Sequence, residues 1–326
     1  MEGIKIYKRP KLKKPYFIVG WPGMGNVAFK AASYLVEKLK AEEFAELLPE
    51  DFFYLSASVI KSGMLEVPQL PQGKFYFWKN PGGRASNDLI IFISNAQPDL
   101  MKAEEYSKRI LYLASSFKAE MVVSFASMPQ PIDHTQEPGI WFASTSAQVN
   151  SPLKKFNFNL LSDGQISGMN GLFLGIAKRE GFKGFCLFGE IPLYAIQIDN
   201  PKASCAVLAA LTKILNIRID FTQLIEQSNI MEDEINKLMD YLKLGPAAGQ
   251  PGPIGEEEIE KIRNALGQLT KLPGSVKEKI EKLFEQTKTD LTKAGGLKAE
   301  LDKWNVYKDY EDRFLDLFRG RENKGN

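Results

Sequence analysis

The chain has 326 residues, 44% of them hydrophobic and 25% charged, the balance of a soluble globular protein with room for about two domains. Its 42 Lys and Arg stand against 40 Asp and Glu, so no global field marks it as a nucleic-acid binder, and no run reaches the roughly 20 apolar residues that span a bilayer. Two cysteines and one histidine are too few for a recognisable Cys or His zinc site; Cys186 and Cys205 fall in apolar segments and read as reduced residues of a cytoplasmic protein.

Basic residues crowd the start (Lys8, Arg9, Lys11, Lys13, Lys14) and no apolar signal stretch follows, so they read as a solvated arm. Tyr16 to Gly20 is a short apolar strand. Asn26 to Lys40 follows as a helix, with Val27, Ala31, Tyr34, Leu35 and Leu39 on its apolar side. Phe52 to Ile60 alternates enough for a strand. Lys74 to Trp78 and Leu89 to Ser94 are two more, parted by Asn80-Pro81-Gly82-Gly83. Lys102 to Phe117 has helical spacing, Glu120 to Phe125 is a buried strand, and a loop with Pro129, Pro131 and Pro138 leads to a strand at Ile140 to Ser144.

A helix from Ser167 to Arg179 carries Gly168, Gly171 and Gly175 on one face. Glycine costs about 1 kcal/mol against alanine inside a helix, so a close neighbour is expected along that face. The apolar strand Gly184 to Phe188 is expected to end in the charged turn Gly189-Glu190-Ile191-Pro192, and Asn200-Pro201 opens a helix to Leu215. Alternating strands and helices predict a three-layer αβα domain over residues 1–220, with a mostly parallel central sheet.

Residues 221–244 read as a linking helix, with Asp220 and Gln223 as its cap pair. Residues 245–255 are a Gly/Pro linker and residues 256–326 a helical extension. In that extension Ile259, Ile262, Leu266 and Leu269 form one stripe, and Pro273-Gly274 breaks the helix. Ser275 with Glu278 caps the next, which Gly295-Gly296 ends. A last helix holds Leu301, Trp304, Phe314, Leu317 and Phe318.

Chemistry is sparse. Gly23-Met24-Gly25-Asn26-Val27-Ala28 fits the dinucleotide fingerprint, in which glycines let backbone approach a pyrophosphate at a helix N-terminus; Glu42, Glu43 and Glu46 follow at about the right distance. Trp21-Pro22 lengthens the turn, however, and a glycine turn built for close packing is the plainer reading. Arg84 is either a phosphate clamp or a solvated turn residue. Glu190, with Tyr194 nearby, is either the rim of a ligand pocket at the carboxyl end of a strand or an acid that caps backbone amides or pairs across a subunit contact. His134 adjoins Asp133, but no G-x-S-x-G elbow or P-loop is present. The residues assign no catalytic group, no metal ligand and no cofactor.

Four motifs in order carry a resemblance: Gly20-Trp21-Pro22-Gly23-Met24-Gly25-Asn26, the glycine-spaced helix Ser167 to Gly175, the turn Leu187 to Tyr194, and Asn200-Pro201-Lys202-Ala203-Ser204. Together they resemble the proteasome-assembly-chaperone type 2 family, over roughly the first two-thirds of the chain; some members have been labelled relatives of ATP-grasp enzymes. The resemblance implies a nucleoside-phosphorylase-like fold and homo-oligomers. It also implies a non-catalytic, ATP-independent role in binding proteasome subunits or other client proteins. Archaeal relatives can dock through a tail of hydrophobic residue, tyrosine and one more residue. Arg321-Glu322-Asn323-Lys324-Gly325-Asn326 does not match that tail, so docking by that route is not implied. The alternative is a nucleotide or nucleoside binding protein or enzyme that uses the turn 20–26, Arg84 and Glu190.

Overall fold

A computed structural model describes residues 3–55, 58–82, 86–244, 274–303 and 307–319. The chain divides into two compact units, Met1–Gly252 and Pro253–Asn326. The first unit begins with β1 (Ile4–Ile6), β2 (Tyr16–Gly20), α1 (Val27–Leu39) and β3 (Glu42–Leu47). A hairpin of β4 (Val59–Lys61) and β5 (Met64–Glu66) follows, then β6 (Gly73–Trp78), β7 (Leu89–Ser94) and α2 (Ala103–Ser116). Next come β8 (Met121–Gln130), β9 (Ile140–Ser144), α3 (Ala147–Leu153), β10 (Asn159–Leu160) and α4 (Met169–Arg179). The unit closes with β11 (Gly184–Pro192), α5 (Pro201–Leu215) and α6 (Thr222–Leu244).

Nine strands form one sheet in the order β1-β3-β6-β7-β2-β8-β11-β9-β10. Its centre, β7-β2-β8-β11, is parallel. These strands are apolar on both sides, as a doubly covered sheet requires: Phe17, Ile18 and Val19 in β2 and Phe185, Cys186 and Leu187 in β11 are all buried. The expected strands Tyr16–Gly20 and Gly184–Phe188 thus lie in the same sheet, with β8 between them. Antiparallel ladders flank the centre, β1-β3-β6-β7 on one side and β9 against β11 on the other. Of these antiparallel pairs only β6 and β7 follow one another in the chain; β1–β3, β3–β6 and β9–β11 bring together strands with other elements between them, which alternation along the sequence does not display.

The two faces are covered by different helices. A Cβ on Gly184 would come within 2.7 Å of Leu174 in α4, whereas one on Gly189, of opposite parity, would meet Ala203 and Val207 in α5. The face under α2 and α4 holds an aromatic core of Phe17, Phe75, Phe92, Tyr106 and Phe173 around Trp21. On the other face α1 packs close, with Gly20 against Ala28 and Ala32.

Several expectations are corrected. Residues 52–55 form no strand; Phe52 and Phe53 turn inward against Tyr106, and extended pairing begins only at Val59. β11 runs on through Gly189-Glu190-Ile191-Pro192, because that stretch stays in register with Ser127–Gln130 of a longer β8. Glu42, Glu43 and Glu46 belong to β3 and pair outward with Lys8, Lys74 and Lys5. Of the three spaced glycines, Gly171 is crowded by Ile166, and Gly168 has a positive φ beside Gln97. Gly175 has no neighbour within 4 Å of a Cβ. Asp220 does cap α6, but through Thr222; Gln223 accepts instead from Lys38 at 2.8 Å.

In the second unit the described helices are α7 (Gly274–Thr289), α8 (Ala294–Lys303) and α9 (Tyr307–Arg319). Ile280, Phe284, Leu297, Leu301 and Phe314 make their core. Arg313 grips Glu281 through both guanidinium nitrogens and lies 4.2 Å over the Phe284 ring. Gly295 and Gly296 sit in the first turn of α8 and do not end the preceding helix, which stops at Thr289 before an Asp290–Thr292 turn. The 245–255 linker, the 256–269 stripe, Trp304 and the last residues 320–326 lie outside the described residues.

Candidate functional site

The glycine turn after β2 is held from all sides. Trp21 is fully buried, and its indole N–H reaches the Tyr106 hydroxyl at 3.3 Å. Its backbone N–H donates to Asn170 Oδ1 at 3.0 Å, and Asn170 Nδ2 donates back to the Trp21 carbonyl at 2.9 Å. Gln97 donates to the Pro22 carbonyl at 2.7 Å and accepts from the Met169 amide at 3.1 Å. The start of α4 is therefore stapled to the turn by two side-chain amides. Residues Met24–Asn26 make one 3-10 turn in which Gly25 has φ +61, a conformation glycine adopts without strain.

That turn spends its polar groups inside the protein. The Gly25 amide donates to the Ile196 carbonyl at 2.8 Å, and the Gly25 carbonyl accepts from the Asn200 amide at 2.7 Å. The Met24 carbonyl accepts from Ser127 Oγ at 2.8 Å. Asn200 in turn caps α5 by accepting from the Ala203 amide at 2.8 Å. Asn26, with φ +51 at the start of α1, keeps its Oδ1 buried without a partner. A pyrophosphate bound in the fingerprint manner needs free amides at this helix N-terminus. Here the Gly25 N–H is already committed.

Glu190 stands on the other side of the sheet. Ile191 reaches toward Gly25, so Glu190, one residue earlier, projects to the opposite face. Its Oε2 accepts from the Gly139 amide at 2.8 Å and its Oε1 from the Trp141 indole N–H at 2.7 Å. Both carboxylate oxygens thus pin β9 and the loop before it. Gly23, Gly25 and Asn26 come together on one turn, Glu190 does not join them, and Arg84 lies outside the described residues.

His134 belongs to a separate knot. Its Nδ1 is 2.8 Å from the Tyr194 hydroxyl and its Nε2 is 2.8 Å from Asn236 Oδ1. Lys202 donates to the carbonyls of His134 and Thr135 and pairs with Glu232. This knot ties the loop after β8 to α5 and α6. Burial raises the Tyr194 hydroxyl above its ordinary range. Burial also pushes the Cys186 thiol up to about 12, so it stays a neutral core group. Among the described residues, no three His, Cys, Asp or Glu side chains gather in a way that could hold a metal ion. No described helix is long and apolar enough to cross a membrane.

Sequence reasoning missed three things. The Trp21–Asn170 exchange joins residues far apart, and nothing local announces it. A cavity of about 310 Å³ lined by Ser144, Asn150, Leu160 and Ile166 is assembled at the β9–β10 edge from separate loops. The β4–β5 hairpin did leave a signal: Ser62-Gly63 between two apolar pairs, with φ +50 and +79, the two-residue turn that suits hairpin twist.

The fold and the site define an α/β protein with a helix-covered sheet, whose glycine turn between β2 and α1 is a packing joint bonded to α4, β8 and the start of α5. The chain belongs to the PAC2 family, whose profile matches residues 17–239. It is 30% identical over 261 residues to the uncharacterized protein MJ1210 of Methanocaldococcus jannaschii, covering 79% of this chain and 96% of that one. Among solved structures it is similar to Pyrococcus furiosus PbaB, an archaeal proteasome activator. That match has 31% identity and a TM-score of 0.62, covering 72% of this chain and 98% of PbaB. Pyrococcus furiosus PbaA, an archaeal homolog of proteasome-assembly chaperone, shares the fold at 24% identity and a TM-score of 0.55, over 74% of this chain and 98% of PbaA.

Proposed function

We propose that this chain is a non-catalytic, proteasome-related factor that acts by binding other proteins as a homo-oligomer in the cytoplasm, without ATP. The observation that carries this reading is the 31% identity to the archaeal proteasome activator PbaB across nearly all of that protein's length. The internal commitment of the glycine turn supports it, because a joint whose amides are spent on its own chain serves rigidity and leaves other surfaces for partners. The likeness to nucleoside phosphorylases is part of the same reading. So is the division into a domain over 1–220, a linking helix, a linker and a helical extension from 256. Capture of the tagged chain from its own cells tests it. Recovery of proteasome subunits is expected, and recovery of the bait alone would remove the reading.

One observation favours the alternative, a nucleotide or nucleoside site at Gly23, Gly25, Asn26, Arg84 and Glu190. The buried Asn26 Oδ1 at the α1 N-terminus lacks a donor. The occupied Gly25 amide and the doubly bonded Glu190 carboxylate weigh against it. Calorimetric titration with a nucleotide and nucleoside panel separates the two: flat traces are expected, and saturable heat lost on Asn26→Ala would restore the alternative.

A further inference from the structure

The basic run that opens the sequence is not a loose arm. It leaves β1 at one edge of the sheet and enters β2 at the centre, so it crosses the ends of β3, β6 and β7. Contacts at both of its ends fix that course. Lys8 pairs with Glu42, the first residue of β3, and the Lys13 amide donates to Asp88 Oδ2 at 2.7 Å, just before β7. Between them Pro10 is buried and Leu12 packs on the core, and Pro15 is buried at the entry to β2. Lys8, Arg9, Lys11, Lys13 and Lys14 are all exposed. The apolar residues thus hold the run down and the cations face out.

Three more exposed lysines join this rim. Lys79 precedes Asn80, whose amide donates to the other oxygen of Asp88 at 2.9 Å. Lys118 follows α2, two residues before Glu120, whose amide donates to the Pro15 carbonyl at 3.0 Å. The Lys183 carbonyl accepts from the Val122 amide at 2.8 Å, where β8 and β11 begin. Against these eight cations the same strand ends carry three carboxylates. Asp88 is buried and spent on two backbone amides, while Glu42 and Glu120 pair with Lys8 and Lys14. Lys178 and Glu180, at the end of α4, cancel. The excess of five positive charges stands in a chain whose net charge is only +2. A cation near a helix C-terminus suits the dipole, which accounts for Lys118 but not for Lys79 or the run before β2.

We propose that this rim, at the amino ends of β2, β8 and β11, is a docking surface for an acidic protein. Charge complementarity names the partner's sign, and two observations name its class. Seven of the eight cations are lysines, compact charges suited to steering a protein encounter, whereas bidentate grip on phosphate calls for arginine. The side chains of Glu42 and Glu120 are 61% and 42% exposed within the rim, where a phosphate backbone or an anionic bilayer laid along it would meet them. The inference rests on the protein-binding reading above and adds the surface and the charge of the partner.

Charge reversal in the full chain tests this. Fluorescence titration reads binding of a glutamate-rich peptide, a short DNA duplex and phosphatidylserine vesicles at physiological ionic strength. The peptide should bind ahead of the other two. Lys11→Glu with Lys79→Glu and Lys183→Glu should weaken it by about tenfold or more, and Lys11→Glu alone by about threefold, which keeps the test decisive where the triple variant folds poorly. The same reversal at Lys61, Lys108 and Lys237, on the hairpin, α2 and α6, should leave peptide affinity within about twofold. With purified proteasome α-subunits as the probe, the triple variant should associate about tenfold more slowly at low salt, with little change in dissociation rate. Peptide binding lost on reversal, with no binding of α-subunits by the unchanged chain, would remove the proteasome reading and support the rim. Equal peptide affinity in the rim and control variants would overturn the rim alone. Duplex or vesicles bound ahead of the peptide would overturn the assignment to a protein.

Discussion

The side chain of Asn170 pairs with the backbone of Trp21 as a neighbouring strand would, donating one hydrogen bond and accepting another across 149 residues of sequence. Both residues are buried. The pairing fixes the turn after β2 to the first turn of α4, and Gln97 repeats the arrangement one step outward. The glycine motif and the helix motif that flag the family are thus two halves of one joint.

Asn170→Ala should therefore be costly. It strands a buried amide and a buried carbonyl of Trp21, at about 1–3 kcal/mol each. Urea unfolding followed by tryptophan fluorescence should show a loss of ~3 kcal/mol. A change under 0.5 kcal/mol would mean the joint contributes little.

Gly171 and Gly175 should part company. A methyl at Gly171 collides with Ile166, so Gly171→Ala should destabilise by about 1–3 kcal/mol. At Gly175 a methyl meets nothing within 4 Å, and Gly175→Ala should stabilise by about 0.5–1 kcal/mol through helix propensity. Thermal melts of the two variants settle it. Equal losses at both sites would contradict the packing described.

These glycines show where the sequence was legible. Periodicity placed β2, α1, β6, β7, α2 and α5 within a residue or two, because each has one buried pattern along its length. Spacing alone could not tell Gly171 from Gly175, since the difference lies in Ile166, on the segment leading into α4. Gly189-Glu190-Ile191-Pro192 looked like a turn for the same reason. Its extended form comes from the β8 ladder, a partner that local sequence does not display. Glu190 was recognised as an amide-capping candidate, but its partners Gly139 and Trp141 required the sheet order.

Glu190→Ala should act on stability. Removing the carboxylate leaves the Gly139 amide and the Trp141 indole N–H unpaired, at a cost of about 2–3 kcal/mol, or ~4–12 °C in Tm for a unit of this size. Glu190→Gln keeps one acceptor and should cost about half as much. Differential scanning calorimetry reads both, and an unchanged Tm in the alanine variant would contradict the bracing role.

Stability should fall at alkaline pH. Burial raises Cys186 from 9.0 to about 12 and Tyr106 from 10.0 to about 12. Both groups are neutral when protonated, and the folded state holds the proton more tightly. Their contribution is complete below pH 9.0 and is lost as pH rises toward about 12. Urea midpoints at pH 8, 9.5 and 10.5 should decline in that order, and Cys186→Ala should flatten the first part of the decline. Midpoints constant across this range would contradict the assignment.

The central claim, protein binding without catalysis or nucleotide, is tested most directly by sedimentation velocity. The purified full chain would be mixed with purified proteasome α-subunits and core particle from the same source, in nucleotide-free buffer. The account predicts a stoichiometric complex whose amount does not change when ATP is added. Free sedimentation of both components at micromolar concentration, or a complex formed only with ATP present, would contradict it.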